Sequence, residues 1–92
     1  PYTYLRETGH QRFPLLALAY KALEIGGSAT IAYNAADEVA VNAFMEGAIP
    51  YSRISQIVEK TLLNEAFTEK VCNYKETMEK DRIAREIARS AI

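Results

Sequence analysis

The chain has 92 residues, 49% of them hydrophobic and 25% charged, an ordinary composition for one small globular domain rather than for a disordered or fibrous chain. Eleven Lys and Arg stand against twelve Asp and Glu, a formal charge of -1; the signs are interspersed, so neither half offers the basic field a phosphate backbone requires, and no nucleic-acid partner is expected. A single cysteine, Cys72, excludes an internal disulfide, no Cys and His set has zinc-ligand spacing, and no run approaches the roughly 18 apolar residues of a membrane span.

Residues 1 to 12 hold Tyr2, Thr3, Tyr4 and Leu5, compatible with a short strand, and then Gly9, His10 and Gln11 with no helical period. They read as a linker or lead-in segment ahead of a helical bundle over residues 13 to 92. Pro14 suits a first helical turn, where its missing N–H is no loss, and Leu15, Leu18, Ala19, Ala22 and Leu23 follow at i, i+3, i+4, i+7 and i+8. The spacing predicts an amphipathic helix closed by Gly26 and Gly27.

A second helix is predicted between Ser28 and Glu46, starting either at Ser28 or, with Asn34 as cap and Asp37 three residues on, at Ala35. Gly47 ends it in both cases. Its many alanines allow a neighbouring backbone to come close, the condition for a central helix. After Pro50 and Tyr51, Ser52 is a good N-cap for a third helix with Ile54, Ile57, Val58, Thr61 and Leu62 on its apolar stripe.

The period is lost from Asn64 through Phe67 to Cys72. Asn73 with Glu76 resembles a capping box opening a short helix to about Glu79, and Asp81 then caps a last helix. There Ile83, Ala84, Ile87, Ala88 and Ala91 form the apolar side, and Arg82, Arg85, Glu86 and Arg89 face solvent. The expected fold is all-α, a small bundle of three main helices and two shorter C-terminal ones with short connections.

Little in this pattern points to chemistry. His10 has no nearby partner to orient it for acid-base work, and Cys72 lacks any local signature of a thiol nucleophile. Asp37 and Glu38 are adjacent, so on a helix they diverge by about 100° and form no paired carboxylate site. Gly26 and Gly27 before Ser28 lack the strand, further glycines and lysine of a phosphate loop. No catalytic, cofactor or metal residue is therefore expected in these 92 residues. Asn34, set among alanines, is read as a helix cap or a buried hydrogen-bonding post, since an unpartnered buried amide costs about 1–3 kcal/mol. Arg12 and Phe13, just ahead of Pro14, are read as an anchor for the linker.

Taken together these segments resemble the C-terminal helical domain of the 1-deoxy-D-xylulose 5-phosphate reductoisomerases. Arg12-Phe13-Pro14, Leu18 to Leu23 and Gly26-Gly27 are similar to the opening, first helix and glycine turn of that family. Asn34-Ala35-Ala36-Asp37-Glu38-Val39-Ala40-Val41 resembles its most distinctive signature, which usually has asparagine in place of Asp37. Ala43 to Gly47, Ile49, Ile54 and Val58 continue the match, and Asp81 with Ala84-Arg85-Glu86 resembles its closing segment. Residues 2 to 10 depart from the acidic, proline-bearing stretch of the family.

The resemblance implies a parent enzyme that rearranges 1-deoxy-D-xylulose 5-phosphate and reduces it with NADPH to 2-C-methyl-D-erythritol 4-phosphate, using a divalent metal, Mg or Mn. It further implies that the cofactor, metal and substrate are held by other domains, and that the parent is a homodimer of the bacterial cytoplasm or the plastid. Arg12, Phe13, Pro14, Asn34, Asp37, Glu38, Asp81 and Arg85 are then expected to be structural residues. Because the chain opens on Pro1 and not on methionine, a fragment of a longer protein, an engineered domain and a small protein with a leader all stay open.

Overall fold

The computed structural model describes residues 14–64, 67 and 70–92. The possible strand at residues 2 to 5, the linker reading of residues 1 to 12, His10, Arg12 and Phe13 lie outside the described residues. Within them the chain forms four helices and no strand: α1 (Pro14–Ile25), α2 (Ala29–Met45), α3 (Arg53–Leu62) and α4 (Tyr74–Ser90).

Pro14 is the first residue of α1, as its fixed backbone favours. Only Leu18 and Ala22 of the predicted stripe are fully buried, with Leu15 packed partly against the core, whereas Leu23 is 65% exposed. The stripe is narrower than its spacing suggests, because Leu23 lies about 100° around the helix from Ala22. Gly26 and Gly27 both take left-handed backbone, φ 74° and 59°, and turn the chain into α2.

α2 begins at the earlier of its two possible starts. Ala29 and Ala32 are fully buried along with Ala35, Ala36, Val39, Ala40 and Ala43, so a helix beginning at Ala35 would forfeit part of this face. Ser28 is buried but makes no side-chain cap bond. With mostly methyl groups on its inner side, α2 lets other backbones approach it closely and packs against α1, α3 and α4. Its end is a Schellman turn: Ala48 N–H donates to the Ala43 carbonyl at 2.9 Å and Gly47 N–H to that of Phe44 at 3.0 Å, with Gly47 at φ 81°. A Cβ added at Gly47 meets nothing within 4 Å, so the cost of Gly47→Ala is that of the left-handed backbone alone. A loss of about 1–2 kcal/mol is expected in urea denaturation.

All five predicted stripe residues of α3 are buried. Ser52, however, is no cap: its backbone is already helical, φ -61° and ψ -18°, and its side chain makes no cap bond. The turn satisfies the helix start instead, Arg53 N–H donating to the Pro50 carbonyl and Ile54 N–H to that of Tyr51. Beyond α3, Phe67 is 1% exposed and is the largest fully buried side chain.

The two short C-terminal helices are one. Asn73 caps α4 by accepting from Glu76 N–H at 2.9 Å, and the Glu76 carboxylate accepts from Cys72 N–H at 2.7 Å. From there the helix runs unbroken to Ser90. Asp81 lies in its interior and caps nothing; no glycine or proline interrupts it, and Met78, Glu79 and Lys80 are good helix formers. Three main helices and two shorter ones thus become four. The described residues form a plate of 35 × 35 × 17 Å between Cα atoms.

Candidate functional site at the α2–α4 seam

The structure brings together three of the candidate residues. On α4, Arg85 Nε donates to Asp81 Oδ2 at 2.8 Å, one turn away, and the other end of the guanidinium, Nη2, donates to Glu38 Oε2 of α2 at 3.1 Å. The two carboxylates raise the already high basicity of Arg85, the Asp81 hydrogen bond contributing most. Arg85 thereby joins two helices whose charges lie 47 residues apart in sequence. Its side chain is 27% exposed and that of Glu38 60%, so the pair orients the seam more than it stabilises it. Farther out on α4, Arg82 pairs with Glu79 and Glu86 on an exposed face.

Two further cross-ties carried no signal in the sequence. Arg53 Nη2 donates to the Ala91 carbonyl at 2.7 Å, fastening the start of α3 to the end of α4, and the Tyr33 hydroxyl donates to the Leu15 carbonyl at 3.1 Å, fastening α2 to α1. Each joins residues far apart in the chain, which periodicity cannot reveal.

Asn34 departs most from its sequence reading. It is exposed in the interior of α2, so it is neither the helix cap nor a buried post. Asp37, one turn on, is half-buried, and no hydrogen bond or ion pair to it is found among the described residues. Burial pushes its carboxyl above the ordinary range; burial first, and then the charge of Asp37, push the Tyr33 phenol up as well. An acid raised in the folded state binds its proton more tightly there than when unfolded. Protonation of Asp37 therefore adds stability as the pH falls from neutral through the raised value, and the gain is complete below the unfolded value of about 3.9. Asp37→Asn is accordingly expected to resist urea better than the parent chain at neutral pH. The difference should close as the pH is lowered to about 3; a constant difference would contradict it.

Cys72 is exposed ahead of α4. Among the described residues no group of three or more His, Cys, Asp or Glu is placed to hold a metal ion, and no helix is long and apolar enough to cross a membrane. At the glycine turn Ser28 and Ala29 are fully buried, and Ala29 N–H is already given to the Gly26 carbonyl. Two clefts flank α2. One, of about 320 Å³, lies against α1 and is lined by Ala19, Ala22, Leu23, Thr30, Tyr33 and Asn34; the other, of about 260 Å³, lies against α4 beside Arg85 and Arg89. The arrangement can fasten helices and present surface, and among the described residues no hydrogen bond joins a nucleophile to a base.

Residues 3–87 match the family described as the DXP reductoisomerase C-terminal domain. The chain is 46% identical over 78 residues, 85% of its length, to a 1-deoxy-D-xylulose 5-phosphate reductoisomerase of Acidithiobacillus ferrooxidans, covering 20% of that protein. It is 49% identical over 78 residues to the protein of that name from Pseudomonas aeruginosa, covering 85% of the chain and 19% of the relative. Against the one from Solibacter usitatus it is 56% identical over 52 residues, 56% of the chain and 13% of the relative. The chain thus spans about a fifth or less of the length of these curated relatives. No solved structure matches it.

Proposed function

Because the chain belongs to the family of DXP reductoisomerase C-terminal domains, we propose that it is the helical supporting domain of a 1-deoxy-D-xylulose 5-phosphate reductoisomerase and has no catalytic centre of its own. The observation that carries this reading is the match of residues 3–87 to that family, with 46% identity over 78 residues to a protein of that name, of which they cover 20%. On this reading residues 1–12 lead into the bundle of residues 13–92. The parent oxidoreductase, acting in isoprenoid biosynthesis, converts 1-deoxy-D-xylulose 5-phosphate to 2-C-methyl-D-erythritol 4-phosphate with NADPH and a divalent metal, as a homodimer in the bacterial cytoplasm or the plastid.

The described residues do not fit the metal, since no three ligating side chains converge. On the proposed reading the metal, NADPH and substrate are held by the remaining domains, which are the partners of this one. What the chain contributes is shape. The alanine face of α2 lets three helices close around it, and Arg53, Tyr33 and Arg85 fix their relative positions.

Full-length protein is expected to oxidise NADPH in a manner dependent on 1-deoxy-D-xylulose 5-phosphate, and the 92-residue chain alone to bind neither compound in calorimetry. Binding of NADPH by the chain alone would remove the claim that it lacks a site. The cleft between α1 and α2 favours a second reading, a free-standing module that takes a partner helix. That reading requires the coding region upstream to lack a nucleotide-binding domain.

A further inference from the structure

The outward side of α2 is unlike its inward side. Asn34, Asp37, Val41 and Met45 follow one another at steps of three and four residues and so form one line along the helix. Met45 is 76% exposed, Val41 36%, and Phe44 beside them 37%. At its other end the line enters the cleft against α1, where Leu23 is also exposed. Exposed hydrophobic residues scattered singly are ordinary, whereas Val41, Phe44 and Met45 lie side by side at the end of α2, the form of an interaction surface.

In the middle of this line stands Asp37. Its neighbour Glu38 is turned to Arg85, but Asp37 has no described cation against it, and the other titratable group facing it is the Tyr33 hydroxyl, on the same helix. A half-buried carboxylate on the same line as the exposed Val41 and Met45 is complementary to a surface that is itself apolar and brings one cation. A second copy of this chain is a poor occupant. An isologous contact brings only this same line to itself, and the line carries a carboxylate and no Lys or Arg.

We propose that this face of α1 and α2 is the docking surface for the rest of the same polypeptide, through an apolar element that sets a Lys or Arg against Asp37. The proposal rests on the reading that the chain is one domain of a longer reductoisomerase.

The chain's two methionines test it, since peroxide converts exposed Met to the sulfoxide and mass spectrometry reads each separately. In the bare domain Met45 is more exposed than Met78 on α4, 76% against 55%. In the full-length protein Met45 is expected to oxidise at least about fivefold more slowly than Met78, the sign of cover over α2. Asp37→Lys, which sets like charges together, should bring the Met45 rate up to that of Met78, and Asp37→Asn should raise it by less. Met45 reacting as fast as Met78 in the unmodified protein overturns the docking surface, and a rate that depends on protein concentration assigns the face to a second copy and overturns it too. Asp37→Lys leaving Met45 slow overturns the cation. Turnover of 1-deoxy-D-xylulose 5-phosphate is followed in parallel: its absence with Met45 still covered refutes the reductoisomerase reading alone, and turnover with Met45 uncovered refutes the docking surface alone.

Discussion

Phe67→Ala is expected to lower the stability of the domain by about 3–5 kcal/mol, the usual cost of deleting a fully buried aromatic side chain. Phe67 is 1% exposed, so the change leaves a cavity in addition to losing apolar burial. Small domains fold with only about 5–15 kcal/mol to spare, and at this length the margin lies towards the lower end. Urea denaturation followed by circular dichroism should show the midpoint falling sharply, with Phe67→Leu, closer in volume, losing clearly less. On the proposed function, the loss should appear in the full-length protein as a smaller yield of folded protein, with KM unchanged in the fraction that folds. A shift of the urea midpoint no larger than that of an exposed substitution would show that Phe67 is not part of the core.

Ala36→Leu is expected to destabilise by about 1–3 kcal/mol or more, through crowding. Leucine adds apolar surface and is nearly as good a helix former as alanine, so neither hydrophobicity nor propensity opposes the change. Only the space is lacking. Ala36 is fully buried on the face of α2 against which the other helices pack, and three more carbon atoms there push backbones apart. Ala48→Leu, at an exposed position just beyond α2, serves as the control and should stay within about 0.5 kcal/mol. If the two substitutions behave alike in urea denaturation, the close approach to α2 is not what holds the bundle together.

How far the sequence revealed the fold differs from helix to helix. The five-residue stripe of α3 was fully legible, because a strong period, a proline turn and burial on one side all agree. α1 was legible in position but not in the width of its buried side, which depends on how α2 and α3 pack upon it. Asp81 misled because aspartate is among the best helix caps, yet an interior aspartate is equally stable when an arginine stands one turn on, as Arg85 does. Asn34 misled for the opposite reason: surrounded by alanines it looked buried, when only one side of α2 is. Phe67 was illegible, since it sits where the sequence has no period to mark a buried side. The same holds at the seam, where Glu38, Asp81 and Arg85 each stood out, but their meeting is a property of the fold.

The flatness of the molecule has a mechanical side. Resistance to bending rises steeply with thickness, and a plate 17 Å deep has little of it compared with a sphere of the same volume. Besides the packing of the helices, polar struts are set across some of its seams. Tyr33 to Leu15, Arg53 to Ala91 and Glu38 to Arg85 are three such struts, one for each of the joints α1–α2, α3–α4 and α2–α4.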